Sequence, residues 1–132
     1  MAKLVGKWKL IATENFDEYM KALGVGAIQR KIGCATKPVQ DISLNGNQIH
    51  IKISSMVNTS EISATLGEVF HERTGDGRDC QTTITAEGDS KLIQSQGGDP
   101  PSTLTRELQD DNTMVMTLEC KGVVAKRTYQ RE

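Results

Sequence analysis

"NGNQIHIKISS", residues 45–55, decides the fold class. Ile49, Ile51 and Ile53 fall on one side of an extended chain, and His50 and Lys52 fall on the other. A period of two with one apolar side is the mark of a half-buried strand. Asn45-Gly46 just before it reads as a two-residue hairpin turn, because both residue types tolerate positive φ. The stretch therefore predicts a strand entered from a tight antiparallel turn.

The same pattern recurs outward from it. In "STLTREL" (102–108), Leu104, Arg106 and Leu108 share a side, opposite Thr103, Thr105 and Glu107. In "TMVMTLECK" (113–121), Met114, Met116 and Leu118 oppose Val115, Thr117 and Glu119. Turn signals separate these runs at Asn58-Thr59-Ser60, Gly75-Asp76-Gly77, Glu87-Gly88-Asp89, 97–101, Asp110-Asp111-Asn112 and Lys121-Gly122. Most come roughly 9–14 residues apart, the rhythm of a β-sandwich or barrel. One-sided burial suits an antiparallel sheet, and closing that sheet into a barrel removes its edges.

One segment departs from this period. In "ENFDEYMKALGVGAIQRKIG" (14–33), Phe16, Tyr19, Met20 and Leu23 have helical spacing. Asn15 is the expected N-cap, Asp17 and Glu18 suit the first turn, and Gly24 ends the helix. "GAIQRKIG" predicts a second short helix ending near Gly33. The expected fold is all-β, with a helix-turn-helix after the first strand and about nine strands following it.

Composition narrows the function. The 132 residues suit one domain, residues 1–132. With 16 basic and 17 acidic side chains and 4% aromatics, neither a polyanion partner nor an aromatic stacking platform is implied, so no nucleic acid is expected. Residues 1–15, "MAKLVGKWKLIATEN", resemble no secretory signal, and no run approaches the about 20 apolar residues of a membrane span. Cys34, Cys80 and Cys120 are odd in number and far apart, so a reduced, cytoplasmic protein is expected. His50 and His71 lack cysteine or acid partners at ligand spacing, and no nucleophile–base pair is visible. No metal, cofactor or enzymatic activity is expected.

The closing octapeptide, "AKRTYQRE" (125–132), raises a different question. Alternation puts Arg127 and Tyr129 on the face of Val123 and Ala125, and Arg106 already shares a face with Leu104 and Leu108. Two arginines and a phenol thus point with the apolar residues.

"GKWKLIATENFDEYMKALGVG" (6–26), "RKIGCATKP" (30–38), "TSEISATLGEVFHERTGDGR" (59–78) and "KRTYQRE" (126–132) resemble the intracellular lipid-binding protein family, which includes fatty-acid-binding and retinoid-binding proteins. The resemblance runs from Gly6 to Tyr129. It implies a ten-stranded antiparallel up-and-down β-barrel, a helix-turn-helix lid between the first two strands, and an internal cavity for one lipid. It implies a monomeric, non-enzymatic carrier of a long-chain fatty acid, with retinoic acid as the alternative. Arg106, Arg127 and Tyr129 match the positions that bind the ligand head group, and inward arginines make sense as a receptor for a carboxylate. Retinol-type members tend to have glutamine at the arginine positions, so the pair favours an acid over an alcohol.

By the same resemblance Met20, Val25, Thr36, Pro38 and Ile53 line the cavity, as do Ser55, Val57, Leu104, Met116 and Leu118. Phe16 joins them from the first helix, and Asp76 and Arg78 border the cavity from the "TGDGR" turn. The hydroxyl of Thr36 needs a partner there. Trp8, on the face of Leu4 and Leu10, is read as core. Val57 and Ala64 are smaller than the residues usual at their positions, which implies a wider mouth and cavity. Pro100-Pro101 and an extra residue near 110–113 alter two hairpins. Lys21, Arg30 and Lys31 are expected on one exposed face of the lid, where they suit transient contact with anionic membranes.

Overall fold

The computed structural model describes residues 2–132. A 3-10 turn, Ala2–Leu4, leads into β1 (Gly6–Glu14). Two helices follow, α1 (Phe16–Leu23) and α2 (Ala27–Ala35). The rest is strand: β2 (Val39–Asn45), β3 (Gln48–Ser54), β4 (Thr59–Thr65), β5 (Phe70–Arg73), β6 (Asp79–Glu87), β7 (Lys91–Gly97), β8 (Ser102–Asp110), β9 (Thr113–Cys120) and β10 (Val123–Arg131). All ten form one sheet in the order β4-β3-β2-β1-β10-β9-β8-β7-β6-β5, and every described pairing is antiparallel. The sheet curls into a nearly closed barrel, with β4 and β5 as its two unpaired edges.

The alternation that predicts the strands also predicts their burial. Ile49 and Ile51 are buried, as are Met114, Met116 and Leu118. The hairpin turn lies one residue later than expected, at Gly46-Asn47, because Asn45 pairs with Gln48 and Gly46 takes the positive φ of 61°. The extra residue before Thr113 is absorbed as a bulge between Leu108 and Asp110. Leu4, Trp8, Leu10, Ile42, Ile51, Ile84, Leu92 and Met114 belong to the buried apolar cluster and stand apart from the cavity lining. The indole of Trp8 donates to the Leu4 carbonyl at 2.9 Å, which satisfies its one polar atom. The guanidinium of Arg131 lies 4.1 Å over that ring and donates to the carbonyls of Lys3, Val5 and Asp111.

Two details of the lid differ from expectation. Asn15 does not cap α1 with its side chain; its backbone is left-handed at φ 61° and its amide donates to Val124 O at 2.9 Å. That bond fastens the start of the lid to β10 instead. The second helix continues through Gly33 to Ala35, because Gly33 is a contact point rather than a terminator. A Cβ there would meet Met20 Sδ at 3.0 Å, so glycine lets α2 lie close on α1. α1 packs on β10 and β9 as well as on α2. The left-handed Gly24 ends α1 as expected.

Candidate functional site

Inside the barrel, under the lid, lies a cavity of about 390 Å³. Arg106, Arg127 and Tyr129 reach its wall by strand parity. Arg106 on β8 and Arg127 on β10 both pair with Met116 on the intervening β9, so the three form one row across the sheet. Two strand spacings set the arginine backbones about 10 Å apart. Phe16, Met20, Val25, Thr36, Pro38 and Ile53 line the same space. So do Ser55, Val57, Asp76, Arg78, Leu104, Met116 and Leu118. The structure thus brings together around one cavity all the side chains expected to line it, whereas Ala64, expected to widen it, belongs to the buried apolar cluster and stands outside the lining.

The two arginines differ sharply in their surroundings. Arg106 is 1% exposed and already satisfied in part: Nε donates to Gln40 Oε1 and Nη1 to Gln94 Oε1, each at 2.8 Å. Burial pushes its pKa down to about 10, so it remains charged at neutral pH. Arg127 is 5% exposed, and its Nε is a buried polar atom with no hydrogen-bond partner among the described residues. Burial lowers its pKa too, and the neighbouring Tyr129 phenol opposes that shift. Its guanidinium lies 3.9 Å over the ring of Phe16. A buried cation with an unused donor is costly, and an anion presented to it removes that cost.

The sequence reading missed the polar scaffold behind Arg106. Glu72 on β5 is buried and accepts from Thr82 Oγ1 at 2.8 Å. The amides of Gln94 and Gln96 also donate to its two oxygens, at 3.0–3.3 Å. Gln40 Nε2 reaches only Met116 Sδ, at 3.3 Å. Gln40 and Gln94 were findable: the parity that turns Arg127 inward also places Gln40 with Ile42 and Gln94 with Leu92.

Asp76 and Arg78 form an ion pair at 2.7 Å on the cavity wall. Burial opposes ionisation of Asp76, but bonds from Arg78 and Thr74 outweigh it and hold the carboxyl below its usual value. The Thr36 hydroxyl finds its partner in the Ile32 carbonyl, at 2.6 Å, and so adds no unsatisfied group to the lining. At the mouth, Val57 is 66% exposed and its neighbour Met56 is fully exposed. On the lid, Lys21 and Lys31 are exposed, but Arg30 is turned inward. It donates to Asp17 at 3.1 Å and to the Val25 carbonyl at 2.7 Å, so the expected trio of free charges is a pair. No helix among the described residues is long and apolar enough to cross a membrane.

Residues 5–132 match the lipocalin / cytosolic fatty-acid binding protein family. The chain is 46% identical over 130 residues to sodium/calcium exchanger regulatory protein 1 of Doryteuthis pealeii, covering 98% of this chain and 97% of that one. It is 39% identical to human cellular retinoic acid-binding protein 2, with both chains covered in full. Among solved structures, the Schistosoma mansoni fatty acid binding protein in complex with arachidonic acid superposes with a TM-score of 0.96 at 32% identity, covering 100% of this chain and 98% of that one.

Proposed function

We propose that this chain, which belongs to the lipocalin / cytosolic fatty-acid binding protein family, is a non-enzymatic carrier that holds one long-chain fatty acid inside the barrel. The observation that carries this reading is Arg127: a buried guanidinium with an unused donor, beside Tyr129, on the wall of a cavity that is apolar along Met20, Val25, Ile53, Leu104 and Leu118. A carboxylate there accepts from Arg127 and Tyr129, and its acyl chain lies along Met20, Val25, Ile53, Leu104 and Leu118. Affinity comes chiefly from burying that chain, at about 0.8 kcal/mol per methylene. The head-group contacts add orientation and a preference for acids. A cavity of about 390 Å³ is within the usual size range of small-molecule sites.

Retinoic acid is the second reading. It presents the same carboxylate, and the human relative at 39% identity is named for binding it. One competition series separates the alternatives. Delipidated protein is titrated with oleate, oleyl alcohol, retinoic acid and retinol against a fluorescent fatty acid. The proposal expects oleate to displace the probe best and both alcohols to compete poorly. Equal displacement by oleyl alcohol refutes the carboxylate site, and stronger displacement by retinoic acid selects the second reading.

A further inference from the structure

Among the described residues, three charged side chains are buried: Arg106, Arg127 and Glu72. A barrel built only to attract a carboxylate has no evident use for a buried carboxylate of its own. Glu72 nevertheless is held firmly, by one hydroxyl and two side-chain amides. None of those donors is a cation. Its link to positive charge runs through Gln94, whose amide nitrogen donates to Glu72 while its oxygen accepts from Arg106. Gln94 therefore bridges an anion and a cation, and its own dipole is aligned with both. Arg106 and Glu72 cancel, and Arg127 is left as one uncompensated positive charge.

The other charges near the cavity do not alter this count. Arg78 and Asp76 pair with each other. Arg73 and Glu61, with side chains 70% and 55% exposed, stand at the rim and pair with Asp79 and His50. Water and salt screen them. The buried sum is one positive charge, and a monoanion brings it to zero. A dianion would leave one buried negative charge without a partner, which is strongly unfavourable.

We infer that Glu72, bridged to Arg106 by Gln94, sets the charge of the head group this site accepts, admitting a long-chain monoanion and rejecting a long-chain phosphate dianion. The inference rests on the fatty-acid reading above and adds a residue that determines specificity. Glu72 acts through the Arg106 side of the site; it is not itself a head-group donor.

The test is a charge cycle. Delipidated wild-type protein, Glu72→Gln, Arg106→Gln and the double variant are titrated with hexadecanoate and with hexadecyl phosphate. At about pH 8 the phosphate is a dianion, its second pKa being about 6. The readout is the ratio of the two dissociation constants, with circular dichroism to confirm folding. Wild type is expected to favour hexadecanoate by about tenfold or more. Glu72→Gln, with two buried positive charges, moves the ratio toward the phosphate by about tenfold or more. Arg106→Gln, with none in excess, moves it the other way. The double variant has the wild-type sum and returns the ratio to within about threefold of wild type. An unchanged ratio in folded Glu72→Gln, or a double variant that stays displaced, overturns the inference. If Glu72→Gln does not fold, the Arg106→Gln leg decides: a ratio that stays at the wild-type value overturns it. Failure of wild type to bind hexadecanoate at all is a different result, which overturns the fatty-acid reading itself.

Discussion

The guanidinium of Arg127 lies face-on over the ring of Phe16, 3.9 Å from its centroid. One partner belongs to the barrel wall and the other to the lid, so the side chain proposed to meet the ligand also fastens the cover. The contact is buried, where a cation–π pair is worth about 2 kcal/mol. Phe16→Leu is expected to lower the melting temperature of the delipidated protein and to speed exchange of a bound fluorescent fatty acid. Scanning calorimetry and stopped-flow mixing measure the two effects. An exchange rate equal to wild type would show that this contact does not restrain the lid.

Arg127→Leu separates ligand binding from folding. Losing a charge-assisted hydrogen bond costs about 1.5–3 kcal/mol of oleate affinity. The fold should stay intact with only a small change in stability, because removing a buried cation with an unpartnered donor offsets the loss of its contact with Phe16. Titration calorimetry together with a urea melt checks both signs. Retained affinity in a folded variant would remove Arg127 from the site.

The Asp76–Arg78 pair gives a pH-dependent prediction. The carboxyl of Asp76 is held below its ordinary value of 3.8, so its contribution is fully present above that value and is lost as pH falls through the lower folded value. Asp76→Asn is expected to cost about 1–2 kcal/mol at neutral pH, a figure reduced for the pair's partial exposure. The difference from wild type should shrink toward zero in strong acid. Urea melts of both proteins across that range supply the comparison, and a gap independent of pH would assign the stabilisation to packing.

The lid supports a prediction about delivery. With Arg30 engaged by Asp17 and Val25, the exposed lid charges to test are Lys21 and Lys31. Each is worth roughly 1 kcal/mol of attraction near an anionic bilayer. Replacing both with alanine is expected to slow transfer of a fluorescent fatty acid to phosphatidylserine vesicles, with little effect on neutral ones. Equal slowing on both vesicle types would mean that charge plays no part.

Strand parity made most of the barrel and its arginines legible in the sequence. Ile49, Ile51, Arg106, Arg127 and Tyr129 all needed only the question of which neighbours share a face. Glu72 was harder to read, because β5 is only four residues long and offers too little alternation to fix an inward face. Its burial becomes evident only when the pairing of β5 with β6 and of β6 with β7 brings Thr82, Gln94 and Gln96 around it. Asn15 failed for another reason. Its residue type fits a cap, but a carbonyl on β10, 109 positions away, competes for its amide. Such competition between local and distant partners has no signature in the spacing of residues along the chain.

The first and last strands of the chain are antiparallel neighbours at the centre of the sheet order, with Trp8 opposite Arg131 and the Glu132 amide bonded to Lys7 O at 2.9 Å. Both ends of the polypeptide therefore leave from the same end of one seam. Tension applied between them acts across the strands, loading the rungs of the β1–β10 ladder one after another instead of all at once. Pulled this way, the molecule is a zip and not a shear lock. Pulled between its two ends, the shell opens first along the seam where its first and last strands meet.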